Sequence, residues 1–438
     1  MNKNLPAILG GEPVFKKGLP PYNTIGEEEK KAVMRVMDSG VLGSFVARKG
    51  EYFLGGKEVL SFEKKFSRMF GVPYAISNNS ATAALHMAVA ALDIGPGDEV
   101  IVSPFTMSAT ASAILMHNAI PVFSDIEDEF FGLDPSLIEE KITPRTKAII
   151  VVHLFGLPAR IDEIMKIARR HKLKVIEDAS QAPLATLNGK KIGTFGDFGI
   201  FSLNCHKIVQ CGEGGVLVCS DEKMAYKAQL VRNHGEAVLG GDKLSDKSTV
   251  NILGWNYKLT ELQAAIATEQ IKKMKRFIKH RVELAGYLAR GLSEFEGITP
   301  TVLPPNMKGV FYAYPFRYDE KRIGLKRDVF VEALRREGLP VNNGYNAPLY
   351  YSPVYRNGIA YGDKGCPFTC SLYKGRAKYD KGICPVTERL YSSELVTTTI
   401  CRDPLSRKHV DRFVKAVRKV LDNKDMVKKR SKKWKKRS

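Results

Sequence analysis

The sequence predicts an α/β protein: a large domain built on a mostly parallel, doubly wound sheet, followed by a smaller C-terminal α+β domain. Three observations carry this expectation. Between residues 72 and 220, short β-branched runs alternate with stretches of helical periodicity, the pattern of βαβ units. A capping box opens a long helix near residue 260. Beyond about residue 286 the pattern changes to mixed strands and helices broken by proline.

In chain order, residues 1–40, with Gly10–Gly11, Pro13 and Pro20–Pro21, read as an arm and a helix that pack onto another part of the protein. Residues 41–285 form the large domain. In it, 74–76, 100–103, 120–124, 148–153 and 174–177 read as strands, the last four buried, and 136–142 and 161–170 as helices. Thr260 and Gln263 cap a helix expected over 260–275, with Leu262, Ala265 and Ile266 on one face. Residues 286–423 form the small domain, with breaks at Pro304–Pro305, Pro348 and Pro353 and a last amphipathic helix over 408–421. Residues 424–438, with nine Lys or Arg against Asp425 alone, read as a disordered basic tail.

The chain of 438 residues is 44% hydrophobic, enough for several cores. No window approaches the roughly 20 apolar residues of a membrane span, and the start lacks a signal peptide's apolar centre, so the expected location is the cytoplasm, with no membrane insertion. Seven cysteines then read as free thiols. Cys366, Cys370 and Cys384 have no fourth ligand at zinc spacing, so no metal is expected. The net charge of +21 suits an acidic partner or a phosphorylated substrate. A regulatory nucleic-acid binder rests on that charge alone, since no helix-turn-helix, zinc finger or aromatic-basic motif accompanies it.

Three segments carry chemistry. Ser77-Asn78-Asn79-Ser80-Ala81-Thr82 follows a strand and opens a helix, where free N–H groups and hydroxyls can cradle a phosphate; an N-cap without a ligand is the plainer alternative. Asp178 ends a strand at the carboxyl edge of the sheet, where a buried carboxylate needs a partner such as a protonated ring nitrogen; capping of the next helix is the other reading. Lys207 lies just past a buried strand and before Gly212-Glu213-Gly214-Gly215, a setting in which desolvation turns an amine into a nucleophile for aldehydes.

The order of phosphate turn, Asp-x-x-Gln, Ser-x4-Lys and Gly-Glu-Gly-Gly resembles the pyridoxal-phosphate (PLP) enzymes of the DegT/StrS sugar aminotransferase family, of aminotransferase fold type I. The resemblance runs from Gly10-Gly11-Glu12-Pro13-Val14 through Phe62-Glu63, Arg232-Asn233-His234-Gly235 and Asn256-Tyr257-Lys258-Leu259-Thr260 to the final helix. It implies that Lys207 carries the cofactor and then moves a proton between substrate and cofactor carbons. Asp178 would keep the pyridine nitrogen protonated and Gln181 would hydrogen-bond the phenolic oxygen. Ala81, Thr82 and Ser202 would hold the phosphate, with Asn256 supplied by the neighbouring subunit, which makes the partner a second copy of the chain in a homodimer with shared active sites.

Some positions depart from the family pattern. Met107 stands where an aromatic usually stacks on the cofactor ring, and a thioether covers a ring face less specifically. Lys258 replaces a common arginine. Residues 366–387 match nothing and are expected to be an insertion near the active site. The substrates implied are glutamate or glutamine as donor and a keto sugar, nucleotide-linked, as acceptor, for a cell-surface polysaccharide or a secondary metabolite. Leu5-Pro6-Ala7-Ile8-Leu9-Gly10-Gly11 and Tyr345-Asn346-Ala347-Pro348-Leu349-Tyr350 look instead like relatives that aminate cyclitol ketones.

Overall fold

The computed structural model describes residues 4–239 and 253–434. Its centre is a seven-stranded sheet of β1 (Tyr74–Asn78), β2 (Glu99–Val102), β3 (Ile120–Phe123), β4 (Thr146–Val152), β5 (Lys174–Asp178), β6 (Phe198–Ser202) and β7 (Gly215–Cys219). The spatial order is β1-β7-β6-β5-β4-β2-β3. From β3 to β6 the strands are parallel, and β7 reverses to pair antiparallel with both β6 and β1. Val175, Ile149 and Val151 join an apolar cluster on one face, while Ile176, Ile150 and Val100 join another on the opposite face. Burial on both faces is why these strands read as continuous apolar runs.

The sheet is flanked by α1 (Glu27–Ser39), α2 (Lys57–Phe70), α3 (Ala81–Ala91), α4 (Ser108–Leu115), α5 (Ile161–Arg170), α6 (Glu222–Arg232) and α7 (Glu261–Leu292). The expected capping box closes the start of α7: Thr260 Oγ1 accepts from Gln263 N at 3.2 Å and Gln263 Oε1 accepts from Thr260 N at 3.3 Å. The helix runs on past residue 275 because buried Phe277, Leu284, Leu288 and Leu292 extend its apolar stripe. It therefore reaches the second core, under an antiparallel sheet of β8 (Ile298–Pro300), β9 (Tyr314–Tyr318), β10 (Val341–Asn343) and β11 (Leu395–Thr398), ordered β8-β9-β11-β10. Packed on that sheet are α8 (Arg327–Arg336) and α9 (Arg407–Asp422), followed by α10 (Lys424–Trp434).

The expected helix over 136–142 is two single 3-10 turns, Pro135–Leu137 and Glu139–Lys141. Pro144 disfavours helical backbone at Thr143, so the segment has no length over which to propagate. The basic tail is also corrected. Residues 424–434 are helical, and Val427, at 1% exposure, belongs to the core formed by α8, α9 and the small sheet. One buried apolar side chain docks the first turns despite the surrounding charge, and Asn423 Nδ2 ties the junction to the carbonyl of Asn4 at 3.2 Å. Residues 435–438 of the expected tail lie outside the described part.

Residues 366–387 lie along the outer edge of the central sheet. Tyr379 donates to the carbonyl of Pro121 in β3 at 2.9 Å, Tyr373 to Glu99 Oε1 at 3.0 Å, and the N–H groups of Val386 and Thr387 to the Asp125 carboxylate. They are a strap along β2 and β3.

Because Val427 is packed, Val427→Ala is expected to lower the free energy of unfolding by about 2 kcal/mol. Urea unfolding followed by circular dichroism checks this; an unchanged midpoint would mean that α10 does not dock.

Candidate active site

The site begins where β1 turns into α3. Ser80 caps the helix by accepting from Ala83 N at 3.1 Å, and Asn78 Oδ1 accepts from Ser80 N at 3.3 Å. These bonds leave the first N–H groups of α3, at Ala81 and Thr82, facing outward, and Thr82 is exposed. Gly215 lies behind the turn: a Cβ there would sit 2.6 Å from Ala81 N and 2.5 Å from the Ser80 carbonyl carbon. Gly215 also pairs with Ser202 across β6 and β7, so the helix start and Ser202 are neighbours. Asn79 Oδ1 is buried there without a hydrogen-bond partner.

At the carboxyl end of β5, Asp178 is 7% exposed. Its Oδ2 accepts from Thr110 Oγ1 at 2.9 Å, Thr110 lies 3.1 Å from Thr106 Oγ1, and Ser180 N donates to Oδ1 at 3.2 Å. One turn on, Gln181 Oε1 accepts from Phe155 N at 2.8 Å while Nε2 donates to the Tyr345 hydroxyl at 3.1 Å. Phe155 has a left-handed φ of 58°, and Gly156 (φ 83°) leaves no room for a Cβ, which would lie 2.8 Å from both Gln181 O and Tyr312 N. Burial pushes the Tyr345 hydroxyl up to about 12, so it stays protonated.

Lys207 follows β6 in a tight turn, its N–H donating to Asn204 O at 2.9 Å. Its Nζ stands 4.8 Å from the centroid of the Tyr312 ring. Desolvation lowers its pKa from the ordinary lysine value, and the nearby Asp178 charge opposes that shift without reversing it. The neutral, nucleophilic amine is therefore available at lower pH than on a surface lysine. A small cavity of about 10 Å³, room for one water, lies among Lys207, Gln181, Ser202 and Tyr312.

The structure thus brings Ala81, Thr82, Asp178, Gln181, Ser202 and Lys207 to one edge of the sheet. Met107 stands at the mouth, 56% exposed, with Asn346 Nδ2 3.8 Å from its sulfur. Asn256 has an exposed side chain, and its carbonyl accepts from Asn79 Nδ2 at 3.4 Å. Sequence reasoning missed Thr110, Tyr312 and the tie between Tyr345 and Gln181. The i, i+4 hydroxyl pair Thr106/Thr110 was the one local signal; Tyr312 had none, since only the fold brings it to Lys207.

A desolvated lysine, a buried aspartate and a helix-start anion cradle, together at the carboxyl edge of a parallel sheet, define the lysine-anchored aldehyde-cofactor enzymes of aminotransferase fold type I. The chain belongs to the DegT/DnrJ/EryC1/StrS aminotransferase family, whose family-wide pattern matches residues 24–378. Members of this family are PLP-dependent aminotransferases, and this chain is one. It is 36% identical over 301 residues to the GDP-perosamine synthase of Caulobacter vibrioides, covering 68% of this chain and 79% of the relative. It is 33% identical over 426 residues to a protein of Micromonospora echinospora provisionally named an L-glutamine:3-amino-2,3-dideoxy-scyllo-inosose aminotransferase, covering 97% and 98%. The solved structure of DesV from S. venezuelae is 30% identical, with a TM-score of 0.74 over 90% of this chain and 94% of that one.

The residues present fit the cofactor: the Gly215-backed helix start, with the N–H groups of Ala81 and Thr82 left over, suits a phosphate, and Lys207 suits an aldehyde. Gly215→Ala is expected to push α3 away from β7 and cost about 1–3 kcal/mol of stability. A chemical-denaturation midpoint equal to that of the parent protein would remove the close approach from the account of the cradle.

Proposed function

We propose that this aminotransferase moves the amino group of glutamate or glutamine to a keto sugar linked to a nucleotide. The observation that carries the reading is the pairing of a desolvated Lys207 with Asp178 at one edge of the sheet. Bound PLP supplies an electron sink for the substrate carbon that loses its proton. In the roles proposed, Lys207 would hold the cofactor's aldehyde and, once released from it, would take the proton from that carbon and deliver it to the cofactor carbon. Asp178, fixed by Thr110 and Ser180, keeps the ring nitrogen protonated. Gln181 presents its amide to the phenolic oxygen and Met107 covers the ring face.

The phosphate would rest on the N–H groups of Ala81 and Thr82 and the hydroxyl of Ser202, completed by Asn256 of the partner subunit in a homodimer. The exposed Asn256 side chain supports that sharing, as does the exposure of neighbouring Leu253 and Trp255, two apolar groups that a partner would cover. Among the described residues no helix is long and apolar enough to cross a membrane, and the proposed location is the cytoplasm. A basic surface suits a nucleotide-linked acceptor, and the likeness to GDP-perosamine synthase supports it.

A second reading, a cyclitol ketone as acceptor, is favoured by one observation. The M. echinospora relative aligns over 97% of this chain, whereas the GDP-perosamine synthase aligns over 68%. A panel of nucleotide-linked keto sugars and scyllo-inosose, with isotope-labelled glutamate and glutamine, separates the two; label in neither product refutes both.

Reduction of the holoenzyme with borohydride and peptide mapping are expected to find the cofactor on Lys207, and Lys207→Ala to abolish transfer. Cofactor recovered on any other lysine would overturn the assignment. Thr110→Val removes a hydrogen bond to a charged group, worth about 1.5–3 kcal/mol, and is expected to lower kcat/KM by about 10- to 100-fold. A parent-like rate would remove the Thr110 hydrogen bond from the role given to Asp178, whose other acceptor bond, from Ser180 N, lies in a turn where no helix follows.

A further inference from the structure

In the buried run 83–91 of α3 every side chain is apolar except that of His86, which is 1% exposed. A histidine buried beside Leu85, Met87 and Val89 gives up its water contacts, a cost that a polar partner has to offset. The partner is Tyr257: His86 Nδ1 lies 2.8 Å from its hydroxyl oxygen. Burial, and then the charge of His117, whose ring centroid is 4.3 Å away, push the His86 pKa down to about 3. Burial lifts the Tyr257 hydroxyl to about 12. At ordinary pH the ring is therefore neutral and the hydroxyl protonated, a matched acceptor and donor.

That bond ends on the segment that carries Asn256. The Trp255 ring stacks on Tyr257, with centroids 5.9 Å apart and planes inclined by 6°, and meets His86 edge-on at 5.5 Å. Main-chain bonds tie both neighbours of Asn256 to the end of α6: Trp255 N donates to Val231 O at 2.8 Å and Tyr257 N to Arg232 O at 3.0 Å. Tyr257 O accepts from Asn79 N, in the phosphate turn, at 2.9 Å. The side chain of Asn256, between these anchored residues, is exposed.

We propose that His86 is a positioning residue for Asn256: through the Tyr257 hydroxyl it fixes the 255–257 segment that reaches the phosphate site of the partner subunit. The inference rests on the proposed sharing of Asn256 between subunits and adds the groups that aim it. Helix α3 then serves both sites of the dimer. Its first N–H groups face the phosphate of their own subunit, and His86, further along the same helix, steadies the group sent to the other.

With apoenzyme, His86→Leu and Tyr257→Phe are each expected to raise the dissociation constant of PLP about tenfold, read from cofactor absorbance, and to leave that of pyridoxal, which lacks the phosphate, within about twofold. The double variant should lose no more than either single one, and His86→Asn, which keeps an acceptor near the Nδ1 position, should recover part of the loss. An unchanged PLP affinity, or equal weakening of PLP and pyridoxal, overturns the proposal. Should His86→Leu fail to fold, Tyr257→Phe, which keeps the ring and its stacking, decides by the same two affinities. Hybrid dimers of a His86→Leu subunit with a Lys207→Ala subunit retain one Lys207, in the subunit whose own histidine is gone and opposite a subunit whose histidine is intact. PLP should bind that lysine with the parent's affinity; weakened binding there would mean that His86 acts within its own subunit, and overturns the proposal. Asn256→Ala separates this inference from the reading beneath it. If that variant leaves the preference for PLP over pyridoxal unchanged, the shared phosphate site fails and the inference with it; if it lowers the preference while His86→Leu and Tyr257→Phe do not, the inference alone fails.

Discussion

The active edge depends on a buried ion pair behind it. Arg232 is fully buried, and its Nη1 donates to Glu63 Oε1 at 2.7 Å and to the carbonyl of Ser77 at 3.0 Å. The same Glu63 oxygen accepts from Ser77 N and Ser77 Oγ, each at 2.8 Å. One carboxylate and one guanidinium thus fix both ends of the Ser77 peptide, and with it the exit of β1 into α3. The pair also joins α2 to α6, and the Phe45 ring covers the guanidinium at 4.7 Å. Removing one partner would leave an uncompensated charge in the interior, which typically costs about 3–5 kcal/mol. Next door, Asn233 Nδ2 donates to the carbonyls of Val46 and Phe53. The motifs around Glu63 and Arg232 are thus scaffold for the phosphate turn, one layer behind the chemistry.

The pleat of β5 divides labour between two successive acids. Glu177 faces one side of the sheet, where the N–H groups of Gly193, Phe195 and Gly196 and the His153 ring saturate it. Because His153 Nδ1 accepts from Ala159 N at 3.0 Å, the proton lies on Nε2 and points at Glu177. That carboxylate is spent on folding the 193–196 turn. Asp178, one residue on, faces the opposite side and accepts only from a threonine hydroxyl and one N–H, so its charge retains capacity for a cationic partner. Adjacent acids of the same type have different fates because the strand period is two.

What was legible in the sequence was what local periodicity and spacing encode. The strands around 100, 120, 148 and 174, the capping box at Thr260 and the positions of Lys207 and Asp178 at strand ends all follow from runs of a few residues. The surroundings of Lys207 were not legible, because Tyr312, whose ring lies under its Nζ, comes from a segment more than a hundred residues along that only the fold brings in. Charge misled at the tail, where lysine is the commonest residue but buried Val427 docks the first turns. At 136–142 the periodicity was real, but a proline downstream left too little chain for a helix to propagate.

The strap over 366–387 has a consequence outside catalysis. β3 is the last strand of the central sheet, and an outermost strand offers unpaired backbone groups to any other chain in the extended state. Here Pro121 already withholds one N–H, the Tyr379 hydroxyl occupies the Pro121 carbonyl, and a belt of Tyr355, Phe368 and Tyr379 rings lies against Phe123 and against one another. Chains crowded together during synthesis therefore meet aromatic side walls there rather than a free backbone template, and the strap shields the sheet from edge-to-edge aggregation.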